Sequence, residues 1–167
     1  MSIPPIKIGW RTIKTVVAVM ITLLLYEWLH RQPAALAALA CVFTLRNDVP
    51  TSIKFGRFRV FGNSVGAIIA GLVVQLELLL GIGNHYIHIF TVSFGVMLII
   101  VICNQFNHSQ SIVNASATYF VVLLTISHHD LIWYTVNRVL DAFIGATIAV
   151  TVNRLLPGPF DNESSAN

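Results

Sequence analysis

From Val60 to Leu80 the chain runs for 21 residues with a single ionisable side chain, Glu77. An α-helix crosses the hydrocarbon core of a bilayer in about 20 residues, and in lipid every backbone N–H and C=O must be satisfied within the segment. A continuous apolar run of this length is therefore read as a spanning helix. Similar stretches cover Thr12–Leu29, Tyr86–Cys103, Ser111–Ser127 and Leu131–Leu156. One more starts at Ala34, is apolar only as far as Leu45, and reaches spanning length by taking in Arg46, Asn47 and Asp48. Between the stretches lie turn-forming residues: Gln32-Pro33, Asp48-Val49-Pro50, Gly81-Ile82-Gly83-Asn84 and His128-His129-Asp130. The expected fold is an all-α integral membrane protein of six transmembrane helices.

Composition agrees. Of the 167 residues, 56% are hydrophobic and 10% charged, against about 25% charged in soluble domains. A soluble domain of this size could not hide so much apolar surface in one core. The basic pI of about 9.1 could suggest nucleic acid, but the cations follow membrane topology instead. With both termini in the cytoplasm, Lys7, Arg11, Lys14, Arg46, Lys54, Arg57, Arg59 and Arg154 lie inside and only Arg31 and Arg138 outside. Such a bias orients a membrane protein. No small-residue cleavage site follows the first apolar run, so a cleaved leader is not expected. The reading is one transmembrane domain over 12–156, a cytoplasmic segment at 1–11 and a short polar cytoplasmic tail at 157–167.

The two halves repeat. Arg59-Val60-Phe61-Gly62-Asn63-Ser64-Val65-Gly66-Ala67-Ile68-Ile69-Ala70 aligns without gaps on Arg138-Val139-Leu140-Asp141-Ala142-Phe143-Ile144-Gly145-Ala146-Thr147-Ile148-Ala149, with six identities in twelve positions. Each copy lies at the start of the third apolar stretch of its half. Three spans per half is an odd number, so the halves (about 12–80 and 86–156) enter the membrane from opposite sides. This is the inverted-repeat plan of many secondary transporters. It places Arg59 at the cytoplasmic mouth and Arg138 near the external one.

Several residue sets could carry function. Gly62, Gly66 and Gly71 on span three, and Gly145 on span six, are small residues suited to close helix packing in lipid. Arg138 and Asp141 share one helical face. They read either as a local ion pair that lowers the cost of burial or as a pair facing an aqueous cavity, where Arg138 attracts an organic anion. Arg46, Lys54, Arg57 and Arg59 form a basic set that topology, anionic lipid or an anion-attracting vestibule could each explain. Arg59 stands out because it has a repeat partner. Asn104, Asn107 and Asn114 supply uncharged hydrogen-bonding groups, as a solvated loop or as the lining of a substrate path.

The six histidines lack a convergent zinc spacing, so no metal is expected. No phosphate loop, nucleophile elbow or paired carboxylates indicate catalysis or a cofactor. Cys41 and Cys103 lie in apolar stretches and read as small buried hydrophobes.

Pro33 before the Ala-rich second stretch, Thr51-Ser52-Ile53-Lys54-Phe55-Gly56, Arg59, Gly62, Gly66 and then Asn137-Arg138-x-x-Asp141-x-x-x-Gly145 resemble the bacterial aromatic acid exporter and fusaric acid resistance (FUSC-like) superfamily. The resemblance covers roughly Ile8 to Leu156. The same broad grouping includes the plant aluminium-activated malate transporters, dimeric anion channels with six spans per subunit. The resemblance implies export or conduction of organic anions across a bacterial inner membrane by a homodimer, with Arg59 and Arg138 on the path. Many such proteins carry a cytoplasmic helical domain after the sixth span. Here that role is expected to be absent or supplied by a separate soluble partner. The other reading is a non-transporting scaffold or a subunit of a cell-envelope complex.

Overall fold

A computed structural model describes residues 9–81, 85–125 and 131–156. Every regular element among them is helical: α1 (Trp10–Trp28), α2 (Ala34–Thr44), α3 (Val49–Leu80), α4 (His85–Gln105), a 3-10 turn at Ser109–Ser111 leading into α5 (Ile112–Thr125), and α6 (Leu131–Leu155). Three helices are long and apolar enough to cross a membrane: α3, α4 from Tyr86 and α6 from Trp133. Large apolar side chains stand exposed along these helices and the others, among them Leu24, Leu72, Leu79, Phe90 and Val113. That surface suits lipid, not water. The expected turns at 82–84 and 128–130 and the tail at 157–167 lie outside the described residues.

Two boundaries differ from the sequence reading. The third helix starts at Val49, well before Val60, so Lys54 and Arg57 are helical and not in a loop. Asp48 explains the start. Its carboxylate accepts the Thr51 backbone N–H at 2.8 Å, an N-cap bond, and Pro50 falls in the first turn, where a missing N–H costs nothing. At 32 residues and 1.5 Å per residue, α3 is about 48 Å long, more than the bilayer core requires.

The second difference is that α2 stops at Thr44, and its 11 residues span only about 16 Å. Leu45 is extended, with ψ of 122°. Buried non-helical backbone is tolerated in a membrane protein only if its polar groups find partners, and here side chains supply them. Arg11 donates to the Leu45 carbonyl, Asn153 to the Arg46 carbonyl, and the Arg46 N–H donates to Ser52 Oγ.

The chain divides into two compact units, residues 1–56 with 143–167, and residues 57–142. These units cut across the sequence halves, because α3 and α6 each contribute to both. In the first unit α1 and α2 form a hairpin. α1 buries Lys14, Ala18, Thr22 and Tyr26 at four-residue spacing, and α2 buries Ala37, Ala40, Cys41 and Thr44. Ala18, Cys41, Leu45, Ala149 and Val152 make a small apolar cluster. In the second unit Ile69, Ala70, Val73, Val74, Ile99, Cys103, Ala115, Tyr119 and Val122 form the core.

The glycines place the closest helix contacts. A Cβ on Gly66 would overlap the Ala115 carbonyl of α5, and one on Gly62 would lie 2.7 Å from the Ser111 carbonyl oxygen. On α6, a Cβ on Gly145 would overlap the Ala37 carbonyl of α2 and lie 2.8 Å from Ala40 Cβ. Gly71, in contrast, has nothing among the described residues within 4 Å of an added Cβ. Five positions beyond Gly66, it is turned well away from the α5 seam. Gly95, which the sequence reading passed over, is the site where Tyr119 crosses α4, with the phenol donating to the Val92 carbonyl at 2.9 Å.

Candidate functional site

The seam between α3 and α5 carries polar groups at helical spacing. On α3 these are Phe58 (through its carbonyl), Arg59 and Asn63. Facing them are Ser111, the last residue of the 3-10 turn, and Asn114 and Thr118 of α5. Arg59 Nη1 donates to Asn114 Oδ1 at 3.0 Å, Thr118 Oγ1 to Asn63 Oδ1 at 2.7 Å, and Ser111 Oγ to the Phe58 carbonyl at 2.8 Å. Gly62 and Gly66 lie between them and let the backbones approach far enough for these short side chains to meet.

Arg138 and Asp141, from the first turns of α6, belong to the same unit. Arg59, Arg138 and Asp141 are 8%, 7% and 2% exposed. The positive charge of Arg138 acts on Arg59, so the two arginines lie within electrostatic reach of each other in this unit. Arg59 lies ten residues into an α3 that begins earlier than expected, which carries it inward from the helix end. Asp141 attracts Arg138 from one turn away. The Arg138 Nε is buried with no hydrogen-bond acceptor among the described residues. Among the described residues, these two guanidinium groups and one carboxylate sum to a net positive charge, in surroundings that screen charge poorly.

Of the three candidate asparagines, only Asn114 meets an arginine. Asn104, in the last turn of α4, and Asn107, in the α4–α5 connection, are exposed, and Asn107 takes a left-handed φ of 56°, a conformation asparagine adopts more readily than most residues. The same connection sets His108 against two rings of α3, 5.1 Å from Phe58 and 4.6 Å from Phe61 between centroids. His88 pairs with Glu77 at 2.8 Å near the other end of α3.

The first unit holds a second polar centre that the sequence reading missed. Lys14, 2% exposed, donates from Nζ to Asn153 Oδ1 at 2.8 Å. The Asn153 amide donates to Ser52 Oγ at 2.9 Å and to the Arg46 carbonyl at 3.2 Å. Ser52 Oγ also accepts the Arg46 N–H at 2.9 Å and donates to the Asp48 carbonyl at 2.9 Å. Its one donor and two acceptor sites are thus filled. This network ties α1, the α2–α3 linker and the end of α6. A signal was available, since Lys14 and Asn153 are polar positions inside otherwise apolar helices. Counting Lys14 only as a topogenic charge concealed it. At the rim of the network, hydrogen bonds from Thr51 hold the Asp48 carboxyl below the usual carboxylate range.

No solved structure matches the chain. A UPF0421 protein of Oceanobacillus iheyensis is 26% identical over 152 residues, which is 91% of this chain and 41% of that protein. The chain thus spans less than half the length of the curated relative it matches. The family model for aromatic acid exporter family member 1 matches residues 6–156. Apolar helices, glycine-mediated packing and a buried arginine pair thus come together in a multi-pass membrane protein that belongs to the aromatic acid exporter family.

Proposed function

We propose that the chain is the transmembrane part of a permeation protein for organic anions, aromatic or carboxylate, with Arg59, Asn114, Arg138 and Asp141 along its path. One observation carries this reading: two buried like charges in a single compact unit, where among the described residues Asp141 acts on Arg138 and the Arg138 Nε has no acceptor. Like charges in a poorly screened site repel, and a bound anion relieves that repulsion. Arginine's planar fork suits a carboxylate and keeps its proton. Membership in an exporter family supports transport as the class of activity.

In this reading six spans cross a bacterial inner membrane with both termini cytoplasmic, and two chains form a homodimer. The packing supports the inverted repeat. Gly66 and Gly145, 79 positions apart, meet the carbonyls of Ala115 and Ala37, 78 positions apart. The third helix of each half therefore packs through its repeat glycine onto the second helix of the other half.

The test is flux of labelled aromatic acids and malate from proteoliposomes, with and without a proton gradient. Arg138→Gln should abolish most flux per reconstituted protein while the elution volume on gel filtration stays unchanged. Asp141→Asn should have a smaller effect and leave substantial flux. Wild-type flux from a folded Arg138→Gln variant would refute the anion path and favour a scaffold role.

A further inference from the structure

The hairpin of α1 and α2 carries a feature that anion transport does not use. A largely apolar groove of about 610 Å³ runs along it, lined by Thr15, Val16, Val19, Met20, Leu23 and Val42 among others. Val16 and Met20 are 62% and 53% exposed, so the groove opens on the outer surface of the unit. Its near end lies toward two arginines: Thr15 is one turn of α1 after Arg11, and Val42 is followed by the end of α2 at Thr44 and the extended Leu45 that leads to Arg46.

These arginines are held close despite their like charge. Arg11 Nη2 donates to the Leu45 carbonyl at 3.4 Å, and its charge acts on Arg46. The Arg46 guanidinium stacks 3.9 Å above the Phe55 ring centroid, and its Nε is buried without an acceptor. Among the described residues no carboxylate pairs with either one. Asp48, two residues from Arg46, is occupied by capping α3.

We propose that Arg11 and Arg46 with this groove form a binding site for one anionic phospholipid, its phosphate between the two guanidinium groups and one acyl chain along Val16–Leu23. Charge complementarity selects the occupant. An apolar groove near two cations that have no carboxylate partner among the described residues fits an amphiphile with an anionic head. The groove provides shape but little discrimination, because lipid tails are as apolar as its walls. Selectivity comes from the headgroup. Each arginine near an anionic surface contributes a factor of about five, so the pair contributes roughly thirtyfold.

The experiment uses the full chain in a neutral detergent, with tryptophan fluorescence as the readout, since Trp10 adjoins Arg11. Quenching by phosphatidylglycerol and by phosphatidylcholine, both with the same brominated acyl chains, gives their relative affinities. The glycerol headlipid should bind roughly thirtyfold more tightly than the choline one, and high salt should collapse the difference. The R11Q/R46Q double variant should bring the ratio to about one while still binding phosphatidylcholine. Should that variant fail to fold, the wild-type ratio and its salt dependence decide the matter alone. Equal binding of the two lipids by wild type would overturn the proposal. Inorganic phosphate or glycerol phosphate displacing the lipid at equal concentration would assign the arginines to a free anion instead. Efficient disulfide cross-linking of two chains through Val16→Cys would give the groove to a second copy, again overturning it.

Discussion

Replacing Gly66 with alanine adds one methyl group where α3 meets the backbone of α5. The new Cβ would overlap the Ala115 carbonyl oxygen and sit 2.9 Å from its carbon and 3.0 Å from its Cα. The obstacle is backbone, which cannot rotate aside as a side chain can. α3 and α5 must therefore separate by about 1 Å, and such overpacking costs about 1–3 kcal/mol. Separation also stretches Arg59–Asn114, Asn63–Thr118 and Ser111–Phe58, each worth about 0.6 kcal/mol in a membrane protein. Against this stands the gain of about 0.5–1 kcal/mol for alanine over glycine in a helix. The net expectation is a loss of about 2–4 kcal/mol. Gly71→Ala, on the same helix with open space around it, should gain up to about 1 kcal/mol. Both variants can be unfolded in mixed micelles by titration with a denaturing detergent, followed by circular dichroism. A Gly66→Ala variant at least as stable as Gly71→Ala would refute the close α3–α5 contact.

Asn153→Ala removes the acceptor for the buried Lys14 and the donor to the buried Ser52 and to the partly buried Arg46 carbonyl. It should cost about 1–3 kcal/mol in the same unfolding assay, and a loss under 0.5 kcal/mol would show that the network is not closed. Asp48→Ala should cost about 1 kcal/mol through loss of the cap, and Asp48→Asn only a few tenths at neutral pH. Because the folded carboxyl titrates below its unfolded value of about 3.9, its contribution is complete above that pH and fades as pH falls through the folded value. The wild type should thus lose its margin over Asp48→Asn in acid, and a margin unchanged down to pH 2 would contradict the assignment.

The helical class and the membrane environment follow from the sequence alone, because both rest on local facts. A run such as Val60–Leu80 is long and apolar enough to cross lipid whatever it packs against, and lipid leaves the backbone no choice but to satisfy itself. The family was legible for the same reason, since Arg59, Gly66, Arg138 and Gly145 recur in fixed linear order. Small residues such as Gly62 and Gly66, four positions apart, are likewise a linear pattern, but identity says nothing of which face a residue presents: a Cβ would meet a neighbouring backbone at Gly62, Gly66 and Gly145 and nothing within 4 Å at Gly71. What only the tertiary structure decided is which polar groups meet. Asp48 and Pro50 move the start of α3 to Val49, and that shift carries Arg59 into the interior beside Asn114 and within reach of the Arg138 charge. The bond from Lys14 to Asn153 joins positions 139 residues apart. A buried amine must find its acceptor wherever packing puts one, and no local rule in the chain says where that will be.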